Sequence, residues 1–346
     1  MKRQLLELLA CPECRGDLAL ADADDGGGEV ERGQLVCAGC GRRYPVLGSV
    51  PRFVSADNYA ASFGFQWNRF RRAQLDSHTG QPISVQRFLR QTGWSRDELA
   101  GRRVLDVGCG AGRFAEVALS CGAHVVAVDY STAAEACWEN LRHHPDLSVL
   151  QADVYRLPFK PGGFDFVYCF GVLQHTPDVR RAFLALPAQL TEQGRLAVDV
   201  YPKRAANLIW PKYWLRGLTK RLPPAELFGL VQRLVRLLWP ISLAAGRVPG
   251  IGRTLRHAIP IANYDGIHPL SAAQLREWAV LDTFDMLAPA HDHPQSATRL
   301  ASWFAEAGLR EVEVFRAGVL VGRGVKGSQE RRDAGRHAPR GRPGVP

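Results

Sequence analysis

The sequence of 346 residues has only two methionines, no internal repeat, and no run of 18 apolar residues free of charge. The last absence argues against a transmembrane helix. Met1–Ala10 holds only a short apolar run before CPEC, so no secretory signal is expected. Eight cysteines without such a signal point to a reducing compartment, and hence to the cytoplasm. Acidic residues are nearly missing from one stretch: residues 201–260 hold 11 Lys or Arg and a single acid, Glu226, which leaves 33 of each sign elsewhere. The net charge of +10 is therefore local, and any inference about partners belongs to that stretch. A hydrophobic share of 46% with 23% charge excludes a wholly disordered chain.

The texture changes several times along the chain. Residues 1–54 read as a small module, with two Cys pairs flanking the loop ADADDGGG. Residues 55–102 read as a helical connector ending in Ser95-Arg-Asp-Glu98, a capping-box pattern. From Arg103 to residue 200 the runs RVLDVG, HVVAVD, LSVLQAD, FDFVYCF and RLAVDV alternate with segments of helical length. Uninterrupted Val/Leu runs of this kind fit strands buried on both faces of a parallel sheet, an α/β fold. Residues 201–296 interrupt the rhythm as a basic helical insertion, placed as a lid. ATRLASWFAEA then predicts a helix stopped by Gly308, and EVEVFR and VLVGRG predict a closing hairpin across Ala317-Gly318, so that 297–326 completes the sheet. The tail 327–346, rich in Arg, Gly and Pro, is expected to be disordered.

Cys11-x2-Cys14 and Cys37-x2-Cys40 are two knuckles 22 residues apart, able to close a tetrahedral site of four thiolates. Zn²⁺ is the usual occupant, and four thiolates leave no open position for water, so the metal is structural. LLACPECRGDL, LVCAGCGRRYPV and GSVPRFV resemble the zinc-ribbon activator subunits that partner tRNA and protein methyltransferases. That resemblance implies a structural ribbon.

Val104–Gly112 reads as a strand entering a GxGxG turn, followed by a helix over Arg113–Ser120. Alone, such a loop also fits dinucleotides. Three acids narrow it: Asp106 before the first glycine, Asp129 closing the next strand, and Asp153 after the third. Asp129 can accept charge-assisted hydrogen bonds from two ribose hydroxyls. Asp153 and the Val154 amide suit an adenine, and Asp106 can offset a cationic amine, which NAD lacks. Gly108, Gly110 and Gly112 let the backbone approach a ligand closely. VLDVGCGAGRF, the acid of VDY at Asp129 and Tyr130, QADVYRLPF and FDFVYCFGVLQHTPD resemble, in order and spacing, the class I S-adenosylmethionine (SAM)-dependent methyltransferases. The resemblance implies a Rossmann-like, seven-stranded mixed sheet with an antiparallel last strand, and SAM as cofactor.

Acceptor residues are expected beyond the C-terminal strand ends. His175 follows the fourth strand and is the candidate base; Tyr264, Asp265, Asp282, Asp285 and His293 are candidate acceptor contacts. Ala225–Leu238 shows helical periodicity with a narrow polar stripe of Gly229, Gln232, Arg233 and Arg236, so it is either core or lipid-facing. The expected activity is methyl transfer to oxygen or carbon of a small or lipid-like acceptor, with 201–260 as a peripheral membrane contact. The rivals are an RNA methyltransferase, in which Trp210, Trp214 and Trp239 could stack bases, and a non-enzymatic SAM-binding module that recruits or activates a partner. No Asn/Asp-Pro-Pro-Tyr-like motif follows the fourth strand, which counts against methylation of base amino groups.

Overall fold

The computed structural model describes residues 1–26, 29–203 and 211–327. The 327–346 tail beyond Gly327 and Trp210 lie outside the described residues.

The N-terminal module is a four-stranded antiparallel sheet in sequence order: β1 (Leu18–Gly26), β2 (Glu29–Cys37), β3 (Arg43–Leu47) and β4 (Val50–Pro51). A module this small has little core of its own. The structure supplies the rest from its neighbour: Leu5, Leu9, Leu35 and Val46 share one apolar core with Leu105, Phe159 and Phe164. Arg15 donates to the Leu157 and Phe159 carbonyls at 3.0 and 2.8 Å. Arg52, just past β4, bridges Gln151 in parallel, so the module covers an otherwise open sheet edge.

Four short helices form the connector: α1 (Ala61–Arg69), α2 (Asp76–Thr79), α3 (Ile83–Thr92) and α4 (Arg96–Leu99). The Ser95–Glu98 capping box is present in both directions. Then come β5 (Arg103–Val107), α5 (Arg113–Ser120), β6 (His124–Asp129), α6 (Ala133–Leu141), β7 (Leu147–Gln151), β8 (Phe164–Cys169), α7 (Val179–Ala185) and β9 (Leu190–Val200). The insertion contributes α8 (Pro211–Thr219), α9 (Pro224–Gly246), α10 (Gly252–Ala258) and α11 (Ala272–Leu287). The chain finishes with α12 (Ala297–Glu306) and the hairpin β10 (Leu309–Ala317) and β11 (Val319–Lys326).

The large sheet has seven strands in the order β10-β11-β9-β8-β5-β6-β7. Strands β5 to β9 pair in parallel and β11 runs antiparallel to both neighbours, so the mixed sheet expected from the sequence is the one observed. Strand order reverses at β5, which has β6 on one side and β8 on the other. The loops leaving β5 and β8 part there and open a crevice at their C-terminal ends.

The insertion helix is longer than the apolar period predicts, continuing eight residues past Leu238 with Pro240 inside it. Its buried face is Leu227, Phe228, Val231, Val235 and Trp239, packed with Phe284, Leu287 and Ile261. The helix is thus partly core and partly outward-facing, where the sequence had offered these as alternatives.

Candidate active site and zinc ribbon

Cys11, Cys14, Cys37 and Cys40 place their sulphurs within 4.8 Å of one another, the one cluster of this kind among the described residues. The pairs Cys11···Cys40 and Cys14···Cys37 stand 3.7 and 3.4 Å apart. A tetrahedron of about 2.3 Å Zn–S bonds has edges of roughly 3.8 Å, so the four thiolates fit Zn²⁺ with little adjustment. His291 and His293 stack on each other at 5.7 Å without forming a second such cluster among the described residues.

The crevice is a cavity of about 850 Å³, of the size that takes a cofactor together with a small acceptor. Its floor is the β5 turn. Gly108 adopts φ +82°, and a Cβ there would come within 2.2 Å of Val172, while one at Gly110 would meet Trp67 at 3.2 Å. Gly112 does not line the cavity; at φ +91° it instead seats α5 against Leu141 and Cys137, where a side chain would collide.

Asp129, buried at the end of β6, lines the cavity. Its Oδ2 accepts from the Gly110 amide at 2.9 Å, and its Oδ1 accepts from the Ser131 amide and hydroxyl at 2.8 and 2.7 Å. Burial pushes its carboxyl up, and the Ser131 and Gly110 hydrogen bonds oppose that shift. Of about four lone-pair positions on a carboxylate, three are thus filled from the chain. One remains for a ribose hydroxyl, and a grip on both hydroxyls requires the Ser131 hydroxyl to turn away. Tyr130 follows on the cavity wall, its ring 4.9 Å from that of Tyr59.

The other acids depart from their expected places. Asp106 is 3% exposed inside β5 and is not on the cavity wall, because the strand buries both faces there. Burial pushes its carboxyl up to about 8, against the opposing influence of the nearby Tyr168 hydroxyl, so near neutral pH it is mostly uncharged and poorly suited to offset a cation. Asp153 caps the turn Val154–Arg156 by accepting from the Tyr155 amide at 2.9 Å, and neither it nor the buried Val154 lines the cavity.

His175 is 5% exposed and lines the cavity. Its Nδ1 lies 2.9 Å from the His291 carbonyl, which fixes that nitrogen as the N–H. Nε2 then carries the lone pair, and it is buried without a partner. Across the cavity, Tyr264 donates its hydroxyl to Asp282, and Gln74 links Asp282 (3.4 Å) to Arg113 (2.9 Å). Tyr201 donates to Asp285 at 3.4 Å. Burial pushes the Asp282 carboxyl up to about 7, with Asp285 adding to the rise and the Tyr264 bond and Arg113 opposing it. Burial also draws the Arg113 guanidinium down to about 10.

Tyr264 and Asp285 therefore line the cavity as expected, whereas Asp265 and His293 do not. His293 is exposed, because its amide is tied to the Gln174 carbonyl at 2.8 Å and its ring turns to His291. Tyr59, Phe63, Trp67 and Arg87 share the wall without any local sequence pattern that marks them, and Arg113 joins them. Arg87 is held by the fully buried Asp199 at 2.7 Å, and Asp199 also takes the Gly171 amide at 2.5 Å. Arg113 was in view as the first residue of α5, and its position directly after the glycine turn was the signal available.

Two segments of the sequence match known families. Residues 105–198 match the family described as Methyltransferase domain, and residues 2–47 match the Trm112p-like proteins. A ubiquinone biosynthesis O-methyltransferase of Xylella fastidiosa (strain 9a5c) is 36% identical over 174 residues, 48% of this chain and 67% of that protein. The protein of the same name from Xanthomonas euvesicatoria pv. vesicatoria (strain 85-10) is 38% identical over 119 residues, 32% of this chain and 48% of that one. A solved complex of the Haloferax volcanii Trm112 methyltransferase activator with a methyltransferase aligns at 13% identity and TM-score 0.44, covering 80% of this chain and 100% of that chain. The chain spans about half the length of the curated relatives it matches first, 48% and 54%. It belongs to the class I SAM-dependent methyltransferases and carries an N-terminal zinc ribbon of the Trm112p-like kind.

Proposed function

We propose that the protein transfers a methyl group from SAM to oxygen or carbon of a small, lipid-like acceptor. The observation that carries this reading is Asp129, a buried carboxylate with one accepting position left, beside the glycine turn that floors a cavity sized for two ligands. When bound, the cofactor supplies a methyl carbon already activated by its sulfonium. The chain's task is then chiefly to hold two reactants in line, since positioning alone can supply much of the acceleration. Asp129 and the Gly108–Gly110 backbone hold the nucleoside end. Tyr264, Asp282 and Asp285 hydrogen-bond the acceptor's polar end, and Trp67, Phe63 and Met286 pack its apolar part. His175 takes the acceptor's proton on Nε2, its other nitrogen being engaged. The zinc ribbon acts by holding the β7 edge, with no role for the metal in the chemistry.

The curated relatives named O-methyltransferases support a small-molecule acceptor over RNA. We read 201–260 as the segment through which the enzyme reaches that acceptor at a membrane surface. The test is incubation with methyl-labelled SAM and fractionated extract. Label in the lipid or small-molecule fraction, with release of S-adenosylhomocysteine, is the expected result. Label in RNA would replace the acceptor class, and SAM binding without release from any fraction would make the protein a non-catalytic module.

A further inference from the structure

Eleven of the thirteen large hydrophobic side chains exposed among the described residues fall between 214 and 267, a stretch that largely overlaps the basic segment 201–260. Isolated exposed apolar residues are ordinary; a concentration of them is not. Two helices show that this one is built in.

α8 is inverted. Its inward side is polar: Arg216 donates to the Pro289 and His291 carbonyls at 2.8 Å and pairs with buried Asp292 at 2.5 Å, and Thr219 donates to the Leu287 carbonyl at 2.9 Å. Its outward side is apolar, with Leu218 at 73% exposure and Leu215 beside it. A surface helix that folds for its own stability does the reverse. In α9, Leu230, Leu237 and Ile241 lie seven and four residues apart, within about 20° of one line along the helix. They are 46%, 69% and 55% exposed, and Arg233 and Arg236 are exposed on the flank away from the buried face. α9 is also the one helix among the described residues long and apolar enough to cross a membrane, yet its other face is committed to α11 and Phe65. A helix so placed can lie in an interface and cannot span it.

We propose that the outward faces of α8 and α9 form a membrane-docking surface for anionic lipid, with Leu218, Leu230, Leu237 and Ile241 entering the headgroup region and Lys220, Arg221, Arg233, Arg236 and Arg247 meeting the phosphates. Charge complementarity selects an anionic occupant: a second copy of the same face would set cation against cation, whereas apolar prongs among cations match an anionic bilayer. Ile267, itself 54% exposed, lies on the cavity wall, so the exposed apolar set reaches the acceptor site. This rests on the methyltransferase reading only for the identity of what enters that cavity; docking itself does not require turnover.

The experiment is co-sedimentation of the full chain with phosphatidylcholine vesicles, with and without phosphatidylglycerol, beside calorimetric titration of SAM. The wild type is expected to sediment with the anionic vesicles and hardly with the neutral ones, and to be released by salt. Arg233→Gln with Arg236→Gln should weaken binding on the order of 25-fold, from two cations near an anionic surface. Leu218→Glu with Leu237→Glu should abolish binding, and all variants should keep wild-type SAM affinity. No sedimentation with either vesicle overturns the proposal, as does binding that survives the Leu→Glu pair. Preferential binding of RNA, or a dimer that the Leu→Glu pair converts to monomer, also overturns it. Loss of SAM binding with docking intact would instead count against the methyltransferase reading and leave the docking surface standing.

Discussion

The sheet half of the molecule and its insertion solve opposite problems. Between 103 and 200 the chain buries Val, Leu and Phe on both faces of a parallel sheet, and its buried polar groups, such as Asp129 and Ser131, are tied to nearby backbone. In the insertion, polar groups work inside: Arg216, Thr219, Ser242, Asn263 and Thr283 are all buried, with hydrogen bonds among them and to neighbouring carbonyls. Leu218, Leu230 and Leu237 remain outside, while Leu227, Leu275 and Leu287 fill the core beneath them. The contrast teaches that exposure of apolar groups here is not a failure to pack, since the helices carrying them are pinned by specific polar bonds from behind.

Metal removal should separate the halves most strongly. Structural zinc contributes on the order of 10 kcal/mol to small ribbon folds, and this ribbon shares its core with the sheet. Chelation should therefore raise hydrogen exchange in β7 and β6 while leaving α9 and α11 protected; uniform loss of protection would erase the distinction. Arg216→Ala comes next. Removing one member of a buried ion pair costs about 3–5 kcal/mol, so exchange should rise in α8 and in 288–292, with the sheet unchanged.

A smaller effect comes from Asp282. Its folded carboxyl titrates at about 7 against an ordinary 3.8, so the folded state holds the proton more tightly. The stability this contributes is fully present below the unfolded value and is lost as pH rises through about 7. Asp285 adjoins it, and Arg113, Arg87 and Tyr264 face it. In Asp282→Asn the Tm should therefore gain on wild type as pH rises from about 4, near the unfolded value, to about 8, past the folded one, followed by differential scanning calorimetry at both ends; a constant gap would show that Asp282 does not titrate there. The smallest effect is Leu237→Glu, which should change stability by less than about 0.5 kcal/mol because the side chain meets little protein; a large loss in urea unfolding would mean that the exposed stripe packs after all.

Much of this was legible in advance, for identifiable reasons. Apolar runs such as HVVAVD have only one comfortable place, a doubly covered strand, so β5 to β9 follow from their composition. The four cysteines are legible because tetrahedral ligation demands paired knuckles. Local capping survived too, as at Ser95–Glu98. What sequence order could not show is how a strand's two faces divide its side chains: Asp106 and Asp129 sit at similar places in neighbouring motifs, yet one is sealed inside and the other opens on the cavity. Residues recruited from afar, such as Tyr59 and Trp67, carry no local pattern, since their role arises when α1 lies over the glycine turn. The stripe of Gly229, Gln232, Arg233 and Arg236 marked α9 as unusual but could not reveal that Leu230 and Leu237 lie outside with it.

The central claim is that Asp129, beside the glycine turn, holds a nucleoside cofactor. Isothermal titration of SAM into wild type and Asp129→Asn tests it most directly, with circular dichroism confirming that the variant folds. Binding by the wild type and a loss of at least about 100-fold in the variant, the scale of losing charge-assisted hydrogen bonds, is predicted. Absence of heat with the wild type, or equal affinity in a folded variant, would contradict the account.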